Sequence, residues 1–231
     1  MSLPSFDPVQ SMVMFRSIRS LGIAAVLIFP APAFAADEAF EFWVNPSVEF
    51  DLENGRAFEV ETAQRLRDAD DGRVDTYFVR GWIKQDISDA LTLAGALERR
   101  INDGGSDEIR LMQQLSGKHG LLRTRLRLEQ RFVEGRGGRM GLRLRPRLGV
   151  ATDLDEEGRW SGKADAELFW TLRGTSPNGD TGITGLRTQV GVGYEVNDTL
   201  SLSLAYLRQQ DFEDGPDEIG HAPLVGIEFS F

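Results

Sequence analysis

One segment of the chain places a charged side chain at every second position. In LLRTRLRLEQRF, residues 121–132, the charged positions are Arg123, Arg125, Arg127, Glu129 and Arg131. Guanidinium groups form charge-assisted hydrogen bonds with carboxylates and phosphates, often two at a time. Such a row of arginines could bind anionic solutes, or it could neutralise acidic side chains inside a protein.

Other groups that could carry chemistry are scarce. The chain has no cysteine and two histidines, His119 and His221, which we predict to lie in turns beside glycines. A possible Ser116–His119 pair lacks an acid fixed by the pattern. We therefore expect no catalytic residues and no enzymatic activity.

Three acidic segments invite a calcium interpretation, but none has the spacing of an EF-hand loop. They occupy residues 68–75, 153–158 and 211–218. We predict solvated loop tips that contact lipopolysaccharide phosphates through divalent ions, and we expect no specific metal site and no cofactor. The net charge of −10 argues against binding to nucleic acid.

Apolar and polar residues alternate along most of the chain, which predicts β-strands because successive side chains of a strand point to opposite faces. In RMGLRLRPRLGV, residues 139–150, the odd positions from Arg139 to Arg147 are arginine or glycine and the even ones are apolar or proline. Turn signals such as Glu53-Asn54-Gly55 separate these segments. The predicted strands are 40–52, 56–66, 74–86, 90–101, 107–116, 120–132, 139–151, 160–173, 183–195, 198–210 and 221–231.

The length of these strands favours a membrane barrel over a soluble sandwich. A barrel strand needs about 9–11 residues to cross a bilayer, whereas soluble strands average about five or six. An arginine facing lipid near the midplane costs about 2–4 kcal/mol, so the arginines must point into the barrel. The predicted lumen-lining residues are Arg110, Arg123, Arg125, Arg127, Glu129, Arg131, Arg143, Arg145, Arg147, Asp165, Glu167 and Arg187. Candidate carboxylate partners are Glu98, Glu108, Glu129, Asp165, Glu167 and Glu195.

Both ends of the chain carry export features. Arg16 and Arg19 precede an apolar stretch, which predicts a secretory signal peptide over residues 1–35 with cleavage between Ala35 and Ala36. Residues before Met14 lack signal character, which is consistent with a mis-assigned start codon. The last strand alternates apolar residues and ends in Phe229 and Phe231, like the signal that outer-membrane barrels present to the barrel-assembly machinery.

Residues 107–150 resemble a family of uncharacterised proteobacterial outer-membrane proteins, domain of unknown function family 2490. The resemblance rests on three consecutive strand motifs. They comprise Glu108, Arg110, Gln113, Gln114 and Leu115; then Arg125, Arg127, Glu129, Gln130 and Arg131; then Arg143, Arg145 and Arg147. It implies a monomeric barrel in the outer membrane of a Gram-negative bacterium and brings no established ligand residues.

We therefore predict an all-β fold, an antiparallel up-and-down transmembrane β-barrel formed by residues 36–231. Eleven segments are visible, but bacterial single-chain barrels have an even number of strands with both ends in the periplasm. We expect twelve strands, with an irregular one near 150–160 or 174–184, and ten as the alternative. Two functions remain open. The barrel is either a narrow, porin-like channel for small anions or acidic oligosaccharides, as in the small oligogalacturonate-specific porins, or a closed, charge-packed structural barrel that maintains the envelope.

Overall fold

The computed structural model of this protein describes residues 37–67, 75–212 and 217–231. The predicted signal peptide and its cleavage site at Ala35–Ala36 lie outside these residues. Among the residues described, there is no helix with the length and apolar composition that a membrane-crossing helix needs.

Eleven β-strands make up the described part of the chain. They are β1 (Asp37–Leu52), β2 (Arg56–Arg67), β3 (Thr76–Ser88), β4 (Leu91–Asn102), β5 (Glu108–His119), β6 (Leu122–Val133), β7 (Met140–Asp153), β8 (Trp160–Arg173), β9 (Gly182–Asn197), β10 (Leu200–Asp211) and β11 (Glu218–Ser230). Each corresponds to one of the segments predicted from alternation, and no strand end differs from its prediction by more than three residues.

The strands form a closed barrel. Strands that follow one another in the chain pair antiparallel, whereas β1 pairs with β11 in parallel and closes the barrel. The prediction of twelve strands, and its alternative of ten, is therefore wrong for the described residues. The two regions suggested for a further strand contain the connections 154–159 and 174–181 instead.

The odd number of strands places the two ends of the barrel wall on opposite sides. In an up-and-down barrel the direction reverses at each strand, so the first and eleventh strands point the same way and must pair in parallel. Asp37 lies beside Glu218 at one end, and Glu49 lies beside Ser230 at the other. The expectation that both ends of the wall lie on one side is thus also wrong.

Connections at the two ends of the barrel differ in length. The end that holds Phe231, called here the C-terminal end, carries the connections 53–55, 89–90, 120–121, 154–159 and 198–199, whereas the opposite end carries 68–75, 103–107, 134–139, 174–181 and 212–217. In the first of these turns Asn54 and Gly55 have φ angles of 64° and 68°. Positive φ at both positions is the geometry of the tight turn that Asn-Gly favours.

The two faces of the wall have the polarity that the alternation predicts. On β6 and β7, Leu126 and Leu148 point outward and are 45% and 59% exposed, whereas Arg127 and Arg145 point inward and are 6% and 5% exposed. Alternation in β3 and β4 is poor because several inward positions are apolar. Trp82, Ala94, Ala96 and Met112 form a small buried cluster inside the barrel.

Candidate functional site

The predicted lumen residues occupy inward-facing positions on β5 to β9. Arg125, Arg127, Glu129 and Arg131 alternate along β6, and direct neighbours across β6 and β7 include Arg125 with Arg147 and Arg127 with Arg145. Like charges at directly opposed positions destabilise a sheet unless acidic groups intervene. Arg123 differs from the others because it lies beside the turn and donates to the backbone oxygens of Gly120 and Leu122.

Two buried glutamates neutralise much of this array. Glu129 accepts hydrogen bonds from Arg143 Nη2 at 2.7 Å and from Arg145 Nη1 at 2.6 Å. Glu167 accepts from Arg125 and from Arg145 Nη2, the latter at 2.5 Å. Arg187 Nη1 lies 3.9 Å from the Glu167 carboxylate, and Arg147 Nη1 lies 3.7 Å from Asp165. Arg145 therefore bridges the two glutamates.

A second set of ion pairs lies on β3 to β6 and is centred on Glu98, whose side chain is fully buried. Its carboxylate accepts from Arg80 Nε at 2.8 Å and from Arg100 Nε at 3.0 Å, and Arg110 Nη1 lies 3.5 Å away. Glu108 pairs with Arg110 at 2.5 Å and also with Arg131. The set of lumen residues predicted from the sequence omitted Arg80 and Arg100. The apolar residues around them, such as Phe78 and Trp82, obscured the alternation that identified the others.

Five of the six candidate carboxylates thus face arginines: Glu98, Glu108, Glu129, Asp165 and Glu167. The sixth, Glu195, makes no ion pair with a described residue; its backbone oxygen accepts from Arg159 at 3.4 Å.

Besides Arg123 at the turn, Arg127 and Arg65 are inward-facing arginines that have no carboxylate within 4.0 Å among the described residues. Arg127 donates from Nε and Nη2 to the side-chain oxygen of Gln114, at 2.9 and 2.7 Å, and its guanidinium lies 4.9 Å from the Trp82 ring centroid. The guanidinium of Arg65 lies 3.8 Å from the Trp43 ring centroid. Aromatic faces attract cations but do not neutralise them, so both groups keep positive charge available to a solute.

A cavity of about 480 Å³ borders these residues. The basic side chains on its wall are Arg65, Arg80, Arg100, Arg125, Arg127, Arg145, Arg147, Lys163 and Arg187, and the acidic ones are Glu59, Glu61, Glu167, Glu195 and Glu228. Basic groups on this wall outnumber acidic ones by nine to five. Charged side chains on the cavity wall are therefore mostly basic, even though the chain as a whole is negative.

The cavity exists because the wall facing the arginines carries small side chains. Gly193, Ser201, Ser203 and Gly226, on β9 to β11, line it. Its lining includes residues near the C-terminal end of the barrel, such as Glu228. Toward the other end the lining reaches Trp43, which packs with Leu207 and Ala222 in a buried apolar cluster.

The remaining candidate groups lie away from the cavity wall. His221 is not in a turn, as predicted, but within β11, where its Nδ1 lies 2.6 Å from the hydroxyl of Tyr206. His119 is the last residue of β5 rather than a turn residue. In the described part of the chain, no group of three or more His, Asp or Glu side chains is placed to hold a metal ion.

Only one of the three acidic segments is described in full. Residues 153–158 lie at the C-terminal end, whereas 68–74 and 213–216 fall outside the described residues. The three segments therefore do not form one set of loop tips, because the connections that contain the other two belong to the opposite end of the barrel.

The fold and the site together define a closed β-barrel with an apolar outer surface and a charged interior. The chain matches the family model described as "Protein of unknown function (DUF2490)" over residues 40–219, which is most of the barrel. It therefore belongs to the DUF2490 family, and the resemblance seen in the sequence is confirmed. A solved structure described as a KdgM porin aligns with 71% of this chain and 81% of its own, at 11% identity and a TM-score of 0.47. A search of curated proteins gave no match.

Proposed function

We propose that this protein is an outer-membrane β-barrel of a Gram-negative bacterium and a narrow channel for small anions or acidic oligosaccharides. The observation that carries the channel function is the cavity, on whose wall basic side chains outnumber acidic ones by nine to five. A confined site lined by one sign of charge raises the local concentration of the opposite ion. Arg127 contributes to this excess because no described carboxylate neutralises it.

Support for a membrane location comes from the outer surface and the strand lengths. Large apolar side chains such as Leu126, Leu148 and Leu204 point outward and are exposed. The strands have 12 to 16 residues, enough to cross a bilayer at a tilt. Outer-membrane barrels have short periplasmic turns and longer external loops. The C-terminal end of the barrel, with four connections of two or three residues, would then face the periplasm.

Export and assembly complete this proposal. The signal peptide over residues 1–35 would direct the chain to the periplasm, and the outward-facing Phe229 and Phe231 would present it to the barrel-assembly machinery. Phe231 is 63% exposed and stacks on Phe50, with ring centroids 5.8 Å apart. We propose that the barrel is a monomer, that it is surrounded by outer-membrane lipid and lipopolysaccharide, and that it does not bind nucleic acid.

The channel function is tested by planar-bilayer recording of the mature protein, after refolding is verified by different gel mobilities of boiled and unboiled samples. Under a KCl gradient, we expect stepwise currents whose reversal potential indicates chloride selectivity. Arg127→Gln should reduce that selectivity. Arg99→Gln is the matched control, because Arg99 faces outward, pairs with Asp107 and does not line the cavity. Cation selectivity of the wild type would contradict the proposal.

The second candidate function is a closed, structural barrel that maintains the envelope. It is favoured by the ion pairs of Glu98, Glu129 and Glu167, whose buried side chains fill the half of the interior formed by β3 to β8. The same recording separates the two functions. A folded barrel that conducts no ions supports the structural function.

A further inference from the structure

Near the end opposite the C terminus, the outer face of the barrel carries a cluster of polar side chains. Register places Thr188 of β9, Arg208 of β10, His221 of β11 and Phe40 of β1 side by side. All four share the face of Tyr206, the outward-facing residue two positions before Arg208, which is 49% exposed. This row lies on the outside of the wall, so it is separate from the arginines of the cavity.

Contacts within the group leave the charge of Arg208 unneutralised. Its Nη1 donates to the side-chain oxygen of Gln210 at 3.0 Å. No carboxylate lies within 4.0 Å of it among residues 37–67, 75–212 and 217–231. The Tyr206 hydroxyl and His221 Nδ1 lie 2.6 Å apart, and the His221 ring stacks on Phe40 with centroids 5.4 Å apart.

Arg99 provides a direct comparison, because it also faces outward and lies three positions before the same end of the barrel wall. Its Nη2 donates to Asp107 at 2.6 Å, so its charge is neutralised within the protein. Within the described parts of the chain, the side chain of Arg208 has a neutral amide, that of Gln210, as its hydrogen-bond partner. This difference makes Arg208 the stronger candidate of the two for binding an anion from outside the protein.

The depth of Arg208 indicates what surrounds it. The residue lies three positions before the end of β10, about 10 Å along the strand. Aromatic side chains such as Tyr206 and Phe40 flank it, as expected at the boundary between headgroups and acyl chains. The anions present at that level are the phosphates of membrane lipids. Arginine binds phosphate through parallel hydrogen bonds from its planar guanidinium.

We propose that Arg208, together with the Tyr206–His221 pair, binds the phosphate of a membrane lipid on the outer surface of the barrel. The ligand class is a phosphorylated glycolipid of the lipid A type, the phosphate-bearing lipid of the outer leaflet. The guanidinium supplies the charge, and the hydroxyl and imidazole supply hydrogen bonds beside it. This inference rests on the proposed membrane insertion and is independent of whether the lumen conducts ions.

The test uses the full mature barrel refolded into phosphatidylcholine vesicles with and without lipid A, with insertion checked by gel mobility. A bound lipid stabilises the folded state, so lipid A should raise the urea midpoint of the wild type. Arg208→Ala and Arg208→Leu should each lose most of this rise, because loss of a charge-assisted pair weakens binding by about tenfold or more. Leucine suits a lipid-facing position, so the second variant keeps the outer face apolar. Arg99→Ala is the matched control and should keep the rise.

Two results would overturn the proposal. One is an equal lipid A effect in the wild type and in both Arg208 variants. The other is the same stabilisation by inorganic phosphate added to phosphatidylcholine vesicles, which would assign the site to a soluble anion instead of a lipid. Failure to insert into any vesicle would instead contradict the membrane location in the proposed function.

Discussion

Removing the charge of Glu98 should strongly destabilise the barrel. The carboxylate is fully buried and faces three guanidinium groups, those of Arg80, Arg100 and Arg110, at 2.8, 3.0 and 3.5 Å. Glu98→Gln keeps the shape of the side chain but leaves these cations without their shared anion. Breaking a buried ion pair by removing one partner costs about 3–5 kcal/mol, because the remaining charge stays desolvated. We expect a loss of unfolding free energy in that range.

The assay is equilibrium unfolding by urea in lipid vesicles, followed by tryptophan fluorescence. Glu61→Gln is the matched control. Glu61 also contacts Arg80, at 2.7 Å, but it borders the cavity and pairs with this one arginine, so we expect a loss of about 1–2 kcal/mol. If Glu98→Gln costs no more than Glu61→Gln, the shared carboxylate does not organise the interior, and the reasoning fails.

Three further predictions concern the faces, the ends and the lumen of the barrel. Leu126→Arg should block or weaken membrane assembly far more than Arg127→Leu, because an arginine that faces lipid destabilises the inserted barrel by about 2–4 kcal/mol. Equal gel mobility shifts for the two variants would refute the face assignment. A peptide tag placed just before Asp37 should bind antibody on intact cells, whereas a tag in the 198–199 turn should bind it only after the outer membrane is permeabilised. If neither tag bound antibody on intact cells, the parallel pairing of β1 with β11 would be contradicted. Gly193→Leu should lower single-channel conductance, because a Cβ there would lie 2.6 Å from the nearest side-chain oxygen and project from the cavity wall; unchanged conductance would place the ion path elsewhere.

Alternation predicted the strands and their faces because it reports a local property. A strand between two environments shows a period of two in its own sequence. This signal located all eleven strands and placed the arginines of β6 and β7 on one side. It was weak in β3, where Phe78 and Trp82 occupy inward positions beside Arg80. An apolar residue facing the interior gives the same local pattern as one facing lipid.

Closure and ion pairing could not be predicted, because both depend on residues far apart in the chain. The parallel contact of β1 with β11 joins residues about 180 positions apart, such as Trp43 and Leu224. The even-strand rule, applied without that contact, gave a wrong count. His221 was assigned to a turn because Gly220 precedes it, yet β11 continues through both residues. Arg100 lies two positions from Glu98 on the same strand, but only the register of β3 and β5 against β4 brings Arg80 and Arg110 to the same carboxylate.

Sharing of carboxylates explains how one interior can be both cohesive and positive. Glu98, Glu129 and Glu167 each contact two or three arginines, so fewer acids than bases hold the strands together. The cations left over, represented by Arg127, face the cavity without disturbing these pairs. Stability and anion attraction should therefore respond to different substitutions. Glu98→Gln should reduce stability strongly, whereas Arg127→Gln should change ion selectivity with a much smaller loss. If one substitution altered both properties to the same degree, the interior would be a single network and the surplus charge would have no separate role.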